Sequence, residues 1–263
     1  MPGYLLSGQI NLSIKMREFI FGRNPVYEVM RAGRRRIYSL MIAEGAQEKG
    51  NLTRAVELAA QGGVPVRRVP RARLDHLSDS HQGLAVEVDD YPYVNLEDIL
   101  ALAAERNEPP LVLLLDMIQN PQNLGTLLRS AEAVGVHGVV IPEHRSAGVT
   151  PAVVQASSGA SEHMLVASMN LVQAIQALKA RDVWIVGLEG SEEARTPGEI
   201  DLSGALGLVI GNEGEGMRRL VRQSCDFLLR LPMRGQVESL NAAVAGSVAL
   251  YLAWQRRGFD RQD

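Results

Sequence analysis

Three clusters of amide, carboxylate and glycine residues, each following an apolar run, are where this chain could do chemistry. The first reads Asp116-Met-Ile-Gln-Asn120-Pro121-Gln-Asn123-Leu-Gly125 and leads to Arg129-Ser130. Asn and Pro after a buried strand form a turn and cap a helix. Yet Asn120, Asn123 and Arg129 also put three polar side chains around one turn and the first helical turns. Asn123 and Arg129 are six residues apart, a spacing that does not by itself place them on one face, so their convergence is an expectation. The second cluster is Gly211-Asn-Glu213-Gly214-Glu215-Gly216. It has neither the G-K-[ST] of a phosphate loop nor G-x-G-x-x-G spacing. Its glycines let backbone approach a ligand. Its carboxylates favour a ligand that is cationic or rich in hydroxyl and amino donors, and a tight strand-to-helix turn is the plain alternative. The third runs from Leu231 to Asn241, LPMRGQVESLN. Ser239 is placed to cap a helix, and Asn241 then falls in its first turn.

Other chemistries find no support. The five histidines, His76, His81, His137, His144 and His163, are scattered without paired His/Cys spacing, so no metal site is expected. No G-x-S-x-G elbow marks a hydrolase. Cys225 is the single cysteine, which rules out an internal disulfide and fits a reducing, cytoplasmic setting. No apolar run is long enough to cross a membrane, and no signal peptide is read at the N-terminus.

The clusters need strands to hold them. In the second half, strands are expected at Leu111–Asp116, Gly138–Ile141, Met164–Val166, Val183–Leu188, Leu206–Ile210 and Phe227–Leu231. They alternate with helices Leu124–Val134, one opened by Thr150-Pro151, one opened by Asn170, Met217–Gln223 and Leu240–Arg256. Such alternation means an α/β fold, a parallel sheet covered on both faces, with ligands outside the carboxyl ends of its strands. The first half reads as a smaller β/α module. A helix there is capped by Asn24 with Pro25 next and ends at Arg34-Arg35-Arg36, a second helix is opened by Asn51, and strands fall at Ile37–Ile42, around Val64–Val69 and at Leu84–Val88. The division expected is an extension over 1–16, a module over 17–90, a linker over 91–108 with an acidic helix opened by Asn95, the larger module over 109–258 and a tail over 259–263.

Charge follows the same division. Lys15–His76 carries thirteen Lys/Arg against six Asp/Glu, whereas Leu77–Asn107 carries one against seven. A basic module with Arg34, Arg35, Arg36, Arg67, Arg68, Arg71 and Arg73 is suited to nucleic acid, although the net charge of the whole chain is -3.

The three clusters, in this order, resemble the three motifs of the SpoU (TrmH-like) branch of the SPOUT RNA ribose 2′-O-methyltransferases: DMIQNPQNLGTLLRSAEAVG, LVIGNEGEGM and LPMRGQVESLNAAVA. FGRNPV and HQGLAV resemble the family's L30e-like RNA-binding domain, and RSAGVTPAVVQASSGASEH is similar to its bacterial 23S rRNA guanosine enzymes. Asn212 stands where relatives often have a smaller residue. The resemblance spans about residues 17–258. It implies a C-terminal trefoil knot, S-adenosylmethionine held by backbone at Gly211, Leu231 and Leu240 beside Gly187, and a homodimer. It implies catalytic positions at Asn123, Arg129, Glu213, Ser239 and Asn241. The RNA contacts expected are Arg23, Arg34, Arg35 and Arg36, the substrate a guanosine ribose of 23S rRNA, with tRNA or a catalytically silent assembly role as alternatives. Arginine is a poor base because its pKa lies above about 12, so Arg129 serves either as a perturbed base or as a cation that acidifies the hydroxyl.

Overall fold

The computed structural model describes residues 17–237 and 239–259; the expected N-terminal extension lies outside them. The first module is built from β1 (Arg17–Phe21), α1 (Arg23–Ala32), β2 (Ile37–Ala43), α2 (Asn51–Gln61), β3 (Val66–Val69), α3 (Arg71–Asp75) and β4 (Leu84–Asp89). Its sheet has the order β1-β4-β2-β3, antiparallel except for the β2–β3 pair. Alternate residues, Ile20, Leu40, Ile42, Val86 and Val88, face Val26 and Val29 of α1 and Leu52 and Ala55 of α2, as a half-buried sheet requires.

Helix α1 is capped two residues before the expected Asn24 and starts at Arg23. Gly22 is the cap, which puts Pro25 in the first turn, where a missing N–H costs nothing. It ends at Gly33, left-handed at φ 59°, so the arginine cluster lies beyond the helix rather than in its last turn. Helix α2 is likewise capped by Gly50, with Asn51 inside it.

Helix α4 (Leu96–Glu105) occupies the interval between modules, closed at its start by the Asn95–Asp98 capping box. It packs on the second sheet: Leu96 and Ile99 join Val112, Leu114 and Val140. The second module then runs β5 (Leu111–Leu115), α5 (Pro121–Ala133), β6 (Gly138–Ile141), α6 (Pro151–Ala156), a 3-10 turn (Ala160–His163), β7 (Val166–Ser168), α7 (Leu171–Lys179), β8 (Trp184–Leu188), β9 (Leu206–Ile210), α8 (Arg219–Ser224), β10 (Phe227–Leu229) and α9 (Ala242–Arg256). All pairs in its six-stranded sheet are parallel, in the order β10-β8-β9-β5-β6-β7. Leu111, Leu113 and Leu115 face α5, α6 and α9, whereas Val112 and Leu114 face α4 and α7. Both faces are covered, so the strands are continuous apolar runs.

Helix α5 begins at Pro121, three residues before the expected start, because Asn120 caps it through Gln122 N–H. Helix α9 begins after Asn241, whose side chain accepts from Ala243 and Val244 N–H; Ser239 is not its cap. Among the described residues no helix is long and apolar enough to cross a membrane.

Candidate functional site

The carboxyl ends of β8, β9 and β10 meet at one place. Leu188, Glu189 and Gly190 after β8, Ile210 and Gly211 after β9, Leu231 and Met233 after β10, and Ser239 and Leu240 before α9 line a cavity of about 210 Å3. Ligands gather at strand ends of this kind. Gly211 sits there because nothing larger fits: a Cβ would lie 2.3 Å from the Gly216 carbonyl carbon. The loop doubles back on itself through Asn212 N–H to Gly216 O and Gly216 N–H to Asn212 O. Asn212 stitches the loop through its side chain, donating to Met117 O at 2.9 Å and accepting from Gly214 N–H. Fully buried Asp116 holds the far end, accepting from Arg218 N–H and Nε at 2.7 Å each.

This fixed loop presents Glu213 beside the cavity. Glu213 Oε1 accepts from Asn241 Nδ2 at 2.6 Å and from Asn123 Nδ2. Asn241 Nδ2 also lies 3.3 Å from Asn123 Oδ1. The three polar clusters therefore converge, one residue from each, although they are separated by up to 118 positions in sequence. Asn241 does two jobs: its oxygen caps α9 and its amide holds Glu213.

Arg129 stands two turns along α5 from Asn123. Its guanidinium is exposed and donates from Nη1 to Ser158 Oγ at 3.2 Å. Ser239 lines the cavity. Gly187 does not; its Cα faces Met217 and Cys225 inside the sheet packing, and its successors Leu188 to Gly190 supply that wall. A larger cleft of about 850 Å3 lies beside Arg106, Glu108 and Arg257, next to Leu111 at the amino end of β5 and away from these groups. Among the described residues no cluster could hold a metal ion.

The expected RNA contacts are placed differently. The Arg35 side chain is fully buried: Nε and Nη2 donate to Glu162 at 2.9 and 2.8 Å, and Nη1 donates to Glu18 at 2.8 Å. These partners hold its pKa above the ordinary arginine value despite burial, which acts the other way. Arg34 donates to Met164 O, to Pro92 O and to Tyr91 Oη. Arg23 donates to the carbonyls of Gln82, Lys49 and Gln47. Arg34 and Arg35 tie the two modules together, and of the cluster only Arg36 is exposed. A charge run in sequence says nothing about a partner 127 residues away.

Residues 110–251 match the SpoU rRNA Methylase family, and residues 19–94 match the RNA 2′-O ribose methyltransferase substrate-binding family. The chain belongs to the SpoU methylase family. It is 41% identical over 247 residues to YacO of Bacillus subtilis, named as a TrmH family tRNA/rRNA methyltransferase, covering 92% of this chain and 97% of that one. The SpoU methyltransferase AviRb of Streptomyces viridochromogenes, solved with S-adenosylmethionine, superposes with a TM-score of 0.76 at 25% identity, covering 93% of this chain and 92% of AviRb. The TrmH/SpoU tRNA modifying enzyme of A. aeolicus gives 0.51 at 27% identity, covering 62% of this chain and 85% of that one. This SpoU methylase is thus an RNA 2′-O-methyltransferase with S-adenosylmethionine as its methyl donor. The cavity suits such a compound. Gly190 and Gly211 leave main chain exposed to it, and Leu188, Leu231 and Leu240 supply apolar wall.

Proposed function

We propose that the chain methylates the 2′-hydroxyl of a guanosine ribose in 23S rRNA, in the cytoplasm and as a homodimer. The donor supplies an electrophilic methyl group; the protein must hold the ribose oxygen in line with it, exclude water and ease loss of the hydroxyl proton. The convergence of Asn123, Glu213 and Asn241 at the rim of the donor cavity carries this reading. Their network fixes a carboxylate whose second oxygen has no hydrogen bond among the described residues and is offered to a substrate hydroxyl. Main chain at Gly211, Leu231 and Leu240 holds the donor, and Ser239 lies on the same wall. Arg129 acts as a cation that stabilises the developing alkoxide while the second Glu213 oxygen takes up the hydroxyl proton, because a guanidinium gives up its own proton only under strong perturbation. Leu231, Met233, Ser239 and Leu240 line the cavity together with Gly211, Asn212, Glu213 and Gly216, and the knotted path implied by the family is part of this reading.

The preference for rRNA rests on the first module, which the A. aeolicus tRNA modifying enzyme, spanning 62% of this chain, supports as an addition to the catalytic unit. On the sheet face turned away from α1 and α2, α3 covers the middle through Leu74, and the part left open, with half-buried Phe19 and Phe21 at its edge, is suited to unpaired bases. Phe19 and Phe21 stack there with centroids 6.4 Å apart, and the Arg17 and Arg36 guanidinium groups lie 4.1 and 5.1 Å from the Tyr38 ring centroid. Exposed Arg67 and Arg73 flank it. Aromatic rings among arginines stack bases and neutralise phosphates. The dimer face proposed is α9, where Val244, Val248 and Tyr251 form an apolar stripe at helical spacing, each more than 40% exposed.

The test offers labelled S-adenosylmethionine with 23S rRNA fragments or with bulk tRNA, followed by nucleoside analysis. Label in 2′-O-methylguanosine from the 23S fragments supports the proposal. Label in tRNA alone assigns the other substrate, and donor binding without transfer to either RNA assigns a silent assembly role.

A further inference from the structure

We infer that Ser158 is a positioning residue for Arg129, held in place by the RNA-binding module. The inference rests on the reading of Arg129 as the residue that activates the ribose hydroxyl.

Arg129 is exposed at the end of a long, flexible side chain, and orienting such a group costs conformational entropy. Among the described residues, its guanidinium hydrogen bond is to Ser158 Oγ, at 3.2 Å. The approach is built into α5. Gly125 lies one turn before Arg129 on the same face, and a Cβ there would sit 2.4 Å from Ala156 Cβ and 2.8 Å from Ser157 N. Absence of a side chain at Gly125 lets α5 press on the end of α6, which brings Arg129 to the following turn. Ser158 adopts φ 55°, the left-handed region that a non-glycine residue enters at a cost.

That turn is gripped on its other side by the first module. Gly159 packs so closely on α1 that a Cβ would lie 2.5 Å from Glu28 Cβ. Glu162, 1% exposed, is paired with Arg35. His163 Nε2 lies 2.7 Å from Glu28 Oε2, and just beyond the module buried Tyr91 Oη donates to Met164 O at 2.6 Å and lies 3.0 Å from Ser161 O. Within the turn, Ser157 Oγ donates to Val154 O at 3.0 Å and shares a hydrogen bond of 3.1 Å with the Ser161 hydroxyl. Residues 157–164 are thus over-determined by contacts from the module that carries RNA, and their exposed product is a hydroxyl aimed at Arg129. The arrangement gives a physical route by which the RNA-binding module fixes the geometry of methyl transfer in the other.

The experiment measures transfer of labelled methyl groups to total bacterial RNA from cells lacking the enzyme, so that it does not depend on which RNA is the target. Arg129→Ala, Ser158→Ala and Ser158→Asn are compared with the parent chain. Ser158→Ala should lower kcat roughly tenfold to a hundredfold, the scale of a small misplacement of a reacting group, with the KM for S-adenosylmethionine unchanged. Ser158→Asn should restore most of the rate, because Asn tolerates the left-handed conformation and keeps an acceptor oxygen. Should Ser158→Ala fail to fold, Ser158→Gly, which accepts φ 55° without strain, takes its place with the same loss of kcat expected. A normal kcat in Ser158→Ala with Arg129→Ala inactive overturns the positioning role alone. Full activity in Arg129→Ala overturns the reading of Arg129, and this inference with it. A Ser158→Asn variant as slow as Ser158→Ala also overturns the positioning role.

Discussion

Replacing Arg35 with Ala should unfold the junction between modules rather than weaken RNA binding. The substitution deletes two hydrogen bonds to Glu162, one to Glu18 and one to the Asp89 carbonyl. It leaves the Glu162 carboxylate, 1% exposed, without its cation in a site that water does not reach. Breaking a buried pair in this way costs about 3–5 kcal/mol. For a chain of this size each kcal/mol lowers the melting temperature by roughly 2–4 °C, so a fall of roughly 6–20 °C is expected by calorimetry. Glu162→Leu combined with Arg35→Met should recover most of it, because the orphaned charge is then gone. The salt dependence of RNA affinity should keep its slope, since a buried guanidinium meets no phosphate. A loss under about 1 kcal/mol together with a flattened salt slope would refute the argument and return Arg35 to the RNA interface.

Neutralising Arg67 and Arg73 should instead reduce the slope of log affinity against log salt by about 1 per residue, measured by filter binding at several salt concentrations, with no change in melting temperature. If α9 is the dimer face proposed above, Val248→Glu should give a monomer in light scattering where the parent chain gives a dimer, because it places a charge in the centre of the apolar stripe of α9. His137 accepts from Leu111 N–H through Nδ1, and burial lowers its pKa below the usual 6.5. The folded state therefore binds fewer protons than the unfolded chain just below pH 6.5, and stability should fall as pH falls through that region in urea titrations; a flat profile would contradict it. Burial raises the Cys225 thiol to about 12 from 9.0, so at pH 8 it should react with a disulfide reagent far more slowly than after denaturation.

Much of this molecule is legible in its residues. The runs at Leu111–Leu115, Gly138–Ile141 and Leu206–Ile210 are read within a residue of their strands, because a strand buried on both faces is apolar throughout. Strand β1 has no such signal: Arg17 and Glu18 occupy its start, and its partners lie some 70 residues away in β4. Helix starts carry a weaker signal, since Ser239, Asn24 and Asn51 are all good caps by type and the chain uses Asn241, Gly22 and Gly50. The meeting of Asn123 with Glu213 could not come from helical spacing; motif resemblance supplied it. Ser158 was hidden in a run of small residues, and its one clue is the Ser-Ser-Gly sequence that follows α6. The arginine cluster does not announce the burial of Arg35, because solvent and an interior partner leave the same mark in sequence.

The most direct test of the account is a crystal structure with S-adenosylmethionine bound. It should lie in the cavity between the ends of β8, β9 and β10, contacted by main chain at Gly211, Leu231 and Leu240, with its methyl group toward Arg129 and the Asn123–Glu213–Asn241 network. The compound seated in the cleft beside Arg106 and Arg257, or with its methyl group turned away from that network, would contradict the account.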